Sequence, residues 1–582
     1  MADGGKSERT RLVQKDSNDS GLEAVGSTVQ PQQDTDRAGR FSSKLGLISS
    51  CIGATVGFGN LWRFPRMLAN NSGGEGCLQF LLVWLMFLFL WSMQIIIMEY
   101  AIGRFTRRAP PMAFHDLLGV KSTWLGGWIS LAYFGICCYF GVIVGWSIYY
   151  MYYCIFYPLP TTFEESSQIW KTFAEESSWP VFLHFIGTLA CTLVIWKGVD
   201  TIEPAMKIMI PGLLILIITS FIWSLTQQSA GSALAYIFTP DWKLFGTPRV
   251  WIDALSQNAW DTGAATGIYL VYGASMATNM GPVKTGSLIP IINNIVSLMA
   301  GTMIFCTVFS TWTNVSPGGD KDDLMTLLKT NGPANTGLTF IWMPILFSTM
   351  TGGRVMASLF FLMLVIAGIS SYIPSIYSVS QVLVDWGVKR EVAAVVMGTL
   401  VFLLGVPSAV DIRFLVLQDF VWGSALIISG LVFVYLFWKY GSQNFRLNLL
   451  NQAGDGTDWK LPKAWEWLLK CVLPVEGLAL LVWWIVSTVQ NEKTPWYELG
   501  SGSLMTAILG WFVVALFVVG LNVLFVRCRG RVSRCWSSLI DKQDDIPTCC
   551  RCCHREDRGG RQNLIVMTDR AGVPDYTYST VD

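Results

Sequence analysis

The sequence predicts an all-α polytopic membrane protein with twelve transmembrane helices, and three observations carry that expectation. Of 582 residues, 52% are hydrophobic and only 14% charged, a balance too apolar for a soluble chain of this length. Runs of about twenty apolar residues, the length that crosses a hydrocarbon core, recur from one end to the other. The charged residues gather in the connections between those runs, and the connections after the second and third runs carry opposite signs.

Residues 1–40 are polar, rich in Ser, Gln, Asp and Gly, and contain no apolar stretch, so they read as a disordered cytoplasmic tail without a cleaved signal peptide. Spans are then expected at 45–69, 77–102, 125–157, 180–197, 204–226, 251–279, 287–312, 355–385, 391–407, 413–440, 465–488 and 502–527. The connection after the second carries Arg104, Arg107, Arg108 and Lys121, whereas the one after the third carries Glu164, Glu165, Glu175 and Glu176 against one lysine. By the positive-inside rule both termini are cytoplasmic. The expected domain is therefore 41–528, with inverted repeats at about 41–226 and 251–440 and two added helices at about 465–528, followed by a cytoplasmic tail, 529–582.

In the tail, Arg527, Arg529, Arg531 and Arg534 favour anionic lipid. Cys549-Cys550-Arg551-Cys552-Cys553-His554 suits palmitoylation better than a zinc knuckle, since no second pair follows at zinc spacing. Asn314-Val315-Ser316 is a glycosylation sequon beside the seventh span. The remaining cysteines are scattered through apolar runs and suggest no disulfide framework.

Two spans are interrupted. Ile52 to Pro65 carries three glycines, Asn60 and Arg63, and Gln257-Asn258-Ala259-Trp260-Asp261-Thr262-Gly263-Ala264-Ala265-Thr266-Gly267 breaks the sixth with amides, a carboxylate and two glycines. Broken backbone at membrane depth is tolerated only where protein or a water-filled cavity surrounds it, and its freed carbonyls can hold cations. Gly53 and Gly57 alone would suit close helix packing, but packing needs no intramembrane arginine. A net charge of +1 gives no basic surface for nucleic acid, and His115, His184 and His554 lie too far apart in sequence for a hydrolytic or metal site.

Gly-Phe-Gly-Asn-Leu-Trp-Arg-Phe-Pro at 57–65, then Asn71-Ser72-Gly73-Gly74, Met98-Glu99-Tyr100-Ala101-Ile102-Gly103-Arg104, Gly145-Trp146, Trp251-Ile252-Asp253-Ala254, Ala367-Gly368-Ile369-Ser370-Ser371 and Asp419-Phe420 resemble the neurotransmitter:sodium symporters, solute carrier family 6, with the LeuT-type fold of five-plus-five inverted helices. The likeness runs from about Phe41 to the end of the twelfth span. It implies a plasma-membrane symporter of a small solute with co-transported sodium, and leaves the oligomeric state open. One sodium site would use the Thr55 carbonyl, Asn60, the carbonyl of Asp261 and Asn293; a second would use the carbonyls of Gly53, Val56 and Ala367 with the hydroxyls of Ser370 and Ser371. The substrate would lie against Ala54, Thr55, Gly57, Gly59, Ile136, Phe140, Trp260, Gly263, Thr266, Ser371 and Ser375. Arg63 and Asp419 correspond to the outer gate, and Asp385 to the inner one. Because Ala38 and Phe41 occupy the positions of the family's inner-gate arginine and tryptophan, either Arg37 or Arg40 substitutes or the inner gate is weak.

Three departures shape the functional expectation. The family's chloride site would fall on Gln257, Asn293 and Ser297, but Asp261 replaces a hydroxyl there and Phe80 or Trp84 replaces a tyrosine, so a fixed carboxylate is expected to make chloride unnecessary. On the empty return Asp261 can carry a proton in place of its neighbouring sodium. Phe140 replaces the substrate-binding tyrosine, with Tyr139 expected to point elsewhere. Gly57 stands where monoamine carriers place an aspartate, which favours a substrate with its own carboxylate, a neutral amino acid first. The competing expectations are a solute-gated sodium channel or sensor, and a symporter of another solute.

Overall fold

The computed structural model describes residues 39–540 apart from 278, 316–323, 325–327, 330–336, 454–455, 492–494 and 501, together with 567–568 and 574–575. The tail 1–38, with Arg37, and the cysteine cluster at 549–554 lie outside the described residues, as do the side chains of Asn314 and of Arg527, Arg529, Arg531 and Arg534. Apart from a two-residue strand pair, Met567–Thr568 with Pro574–Asp575, every regular element described is helical.

The first span is two helices, α1 (Lys44–Thr55) and α2 (Phe64–Asn70), bent by 43° with a π-helical turn, Gly59–Arg63, between them. Ser43 caps α1 by accepting from the Gly46 amide at 3.0 Å, and the helix stops at Val56, whose ψ of 99° leaves the helical region. The continuous apolar helices that follow are α3 (Leu78–Thr106), α4 (Thr123–Phe156), α5 (Trp179–Val194) and α6 (Val199–Leu225). The sixth span is α7 (Pro248–Thr262) and α8 (Ile268–Ala274). After it come α9 (Pro282–Trp312), α10 (Gly353–Asp385), α11 (Arg390–Val410), α12 (Ile412–Tyr440), α13 (Lys463–Gln490) and α14 (Leu504–Leu524).

Nine described helices are long and apolar enough to cross a membrane, or eleven when two bent pairs are each counted once, against the expected twelve. The difference is the sixth span, whose halves are short and whose first half carries Gln257, Asn258 and Asp261. Its interruption is also shorter than expected. The helix continues through Thr262 and breaks only over 263–267, where Gly263, Ala265 and Gly267 take φ of 67°, 70° and 83°. Glycine tolerates that region freely, but Ala265 does not and needs outside support. The buried Glu99 of α3 provides it, accepting from the Ala265 amide at 2.7 Å. Cys51, Cys77, Cys137, Cys138, Cys154, Cys191, Cys306 and Cys471 form no disulfide.

Candidate functional site

The break after α1 places Asn60 at the centre of a buried polar chain. Its Oδ1 accepts from the Gly57 amide at 2.8 Å, and its Nδ2 donates to Asn293 Oδ1 at 2.8 Å and to Ser297 Oγ at 2.7 Å, both on α9. Ser297 Oγ in turn donates to Asp261 Oδ2 at 2.6 Å, which leaves Asp261 Oδ1 buried without a protein donor. The Thr55 hydroxyl turns back onto the carbonyls of Cys51 and Ile52. Asn60, Asn293 and Asp261 of the expected first sodium site are therefore brought together, and so are Asp261, Asn293 and Ser297 of the expected anion site. Gln257 joins them from the other side, donating to the Gly59 carbonyl at 3.2 Å. Phe80 and Trp84, the alternatives for the missing tyrosine, both pack on Phe64, at 6.3 and 4.7 Å between ring centroids.

A second oxygen cluster joins α1 to α10. Ser371 Oγ lies 3.0 Å from the Gly53 carbonyl and 3.5 Å from that of Val56, while Ser370 Oγ bonds the Ala367 carbonyl at 3.0 Å. All five expected residues of the second sodium site are buried there. A set made only of carbonyl and hydroxyl oxygens suits a hard cation, and no cluster of three or more His, Cys, Asp or Glu occurs among the described residues.

Beside these clusters opens a cavity of about 350 Å³ lined by Trp62, Arg63, Tyr139, Phe140, Trp260 and Asp419, among others. Of the expected substrate positions, Gly59, Phe140 and Trp260 line it; Ala54, Thr55, Gly57, Ile136, Gly263, Thr266, Ser371 and Ser375 do not. The Arg63 guanidinium lies over the Trp260 ring at 5.9 Å and donates to Gln257 Oε1 at 2.6 Å. Asp419 instead accepts from the Tyr139 hydroxyl at 2.9 Å, and among the described residues no ion pair joins Arg63 to Asp419. Tyr139 therefore faces the cavity alongside Phe140, contrary to the expectation that it points elsewhere; the wide cavity admits two consecutive helix positions. Near the other end of the bundle, Asp385 accepts from the Ala109 amide at 2.6 Å and lies 3.8 Å from Arg108.

Sequence reasoning missed Arg108 as a partner of Asp385 because the basic run at 104–108 had served as a topology signal. It missed the support that Glu99 gives to the break, although a carboxylate within an apolar span is itself a pointer to function.

These features define a polytopic membrane protein with two cation-suited oxygen clusters about the break of its first span. The chain belongs to the sodium:neurotransmitter symporter family, whose model matches residues 38–178 and 172–529. It is 27% identical over 440 residues to an uncharacterized sodium-dependent transporter of Methanocaldococcus jannaschii, covering 72% of this chain and 86% of that one. It is 25% identical over 480 residues to the sodium-dependent serotonin transporter of Drosophila melanogaster, covering 72% and 73%. The crystal structure of MhsT in complex with L-phenylalanine matches with a TM-score of 0.64 and 26% identity, over 76% of this chain and 99% of that one. The protein is a multi-pass membrane transporter coupled to sodium, with a LeuT-type fold, and it is not an enzyme.

Proposed function

We propose that the chain is a twelve-span, inverted-repeat symporter of a neutral amino acid that works without chloride, with Asp261 as its own anion. The observation that carries this reading is the buried chain from Asp261 through Ser297 to Asn60 and Asn293. It sets a carboxylate two hydrogen bonds from the proposed sodium ligands, where a chloride about 4 Å away would be repelled by about 4 kcal/mol at an effective dielectric constant of about 20. Gly57 supplies no acid for an amine, so the substrate brings its own carboxylate to the sodium and to the amides at the first break. MhsT, solved with L-phenylalanine, supports an amino acid. Both sodium sites, the cytoplasmic termini and a plasma-membrane location belong to the same proposal, as do an outer gate of Arg63 with Asp419 and an inner gate of Asp385 with Arg108 or Arg40.

The test is radiolabelled uptake into proteoliposomes across amino acids, amines and betaines, with sodium and chloride varied independently. Sodium-driven accumulation of a neutral amino acid against its gradient, undiminished when gluconate replaces chloride, is expected. A strict chloride requirement refutes the anion role, and uptake that only equilibrates refutes coupled transport.

A further inference from the structure

Glu203, in the first turns of α6, is almost fully buried, and its carboxylate gathers donors from two elements. Oε2 accepts from the Ser42 amide at 2.7 Å; Oε1 accepts from the Ser42 hydroxyl at 2.7 Å, the Ser43 hydroxyl at 2.9 Å and the Lys207 ammonium at 2.7 Å. Ser43 is also the N-cap of α1, so one carboxylate holds the start of the half-helix that carries Gly53 and Thr55 and leads into Val56. The approach is close enough to require glycine at 46, where a Cβ would overlap the Glu203 carboxylate. Hydrogen bonds to an ionised group are about twice as strong as neutral ones, and a buried carboxylate that loses its donors is costly, so the contact resists opening.

We infer that Glu203 is a positioning residue for transport: it latches the inner end of α1, and α1 cannot swing aside to release sodium on that side until Ser42 and Ser43 leave the carboxylate. The latched serines directly follow Phe41, which takes the place of the family's inner-gate tryptophan. Phe41 is buried in the core, where it makes an edge-to-face contact with Tyr272 at 5.5 Å and its amide donates to the Ser275 carbonyl. The inference depends on sodium-coupled alternating access but not on the substrate or chloride.

Cys51 offers a built-in probe. It lies buried on α1, accepts from the Tyr100 hydroxyl at 2.8 Å, and gains water when α1 moves out. Cys191 and Cys306, buried on α5 and α9, report on general loosening. In solubilised protein with sodium present, maleimide labelling of each thiol is followed by peptide mass spectrometry, which exposes both faces and makes membrane orientation irrelevant. Glu203→Gln and Gly46→Ala should each speed Cys51 labelling about tenfold, as expected from losing one charge-assisted hydrogen bond, while Cys191 and Cys306 stay at the unsubstituted rate. Ser42→Ala, which removes a single donor, should give about threefold and serves if the stronger variants fail to fold. Unchanged Cys51 labelling in a folded variant overturns the inference, and so does an equal rise at all three thiols, which would mark a merely structural contact.

Discussion

Replacing Asp261 with Asn tests the source of negative charge at the first sodium site with little change of shape. Asn keeps an acceptor for the Ser297 hydroxyl, now 2.6 Å from the carboxylate, but removes the charge. Two hydrogen bonds in series, the second donated by Asn60 Nδ2 to Ser297 Oγ at 2.7 Å, put that charge about 5 Å from the Asn60 amide, and at about that distance a cation on the amide oxygen gains about 3 kcal/mol at an effective dielectric constant of about 20. That corresponds to about 10²-fold in sodium affinity. The assay is the half-saturating sodium concentration for uptake, measured in gluconate and again in chloride. Asp261→Asn should need about 10²-fold more sodium in gluconate. Asp261→Ser, which restores the family's hydroxyl, should recover much of the loss only when chloride is added. If Asp261→Asn shifts the sodium requirement by less than about threefold, the carboxylate is not the compensating charge and the reasoning fails.

Three further outcomes are expected. Gly57→Ala puts a Cβ 2.5 Å from Ser371 Oγ, displacing the hydroxyl that reaches Gly53 and Val56, and overpacking of about 2 kcal/mol should cut sodium-dependent uptake at least tenfold with surface expression retained. Tyr139→Phe removes the donor that holds Asp419 and lets it turn to Arg63; gating weighted by about 1 kcal/mol should slow thiol labelling of a cysteine at Ala259, in the cavity, about fivefold. Glu99→Gln weakens the support of Ala265 at its φ of 70° and should destabilise the protein by about 2 kcal/mol, read as a lower Tm of the solubilised protein that Ala265→Gly partly restores.

How far the sequence could carry the fold depends on what each kind of residue does to a helix. The first break was legible because glycine, asparagine and arginine inside an apolar run oppose both helix propensity and burial, and the structure bends there. At the sixth span the same logic overreached. Gln257, Asn258 and Asp261 also oppose burial, yet they remain helical because distant groups take up at least one polar atom of each side chain: Asn258 donates to the Trp84 carbonyl at 3.0 Å, Gln257 to that of Gly59, and Asp261 accepts from Ser297. Polarity alone does not break a helix whose polar groups find partners; here only backbone forced to positive φ does so.

Partnership across long separations is likewise hard to read from one chain. The ties between Asn60 and Asn293, Glu99 and Ala265, Tyr139 and Asp419, and Arg108 and Asp385 each bridge well over a hundred positions. Family register supplied the first by naming both residues as sodium ligands. For Asp385 the register points to positions 37–41, whereas Arg108 reads first as a charge that orients the second span. A loop arginine counted for topology is also a cation free to reach an intramembrane carboxylate, so the two roles do not exclude one another. If Arg108 matters chiefly as a gate, Arg108→Gln should raise Cys51 labelling while the protein still inserts with the same orientation. Because the pair is partly exposed and its atoms stand 3.8 Å apart, the rise should be at most about fivefold, the effect of about 1 kcal/mol. An inverted orientation with unchanged labelling would return Arg108 to topology alone.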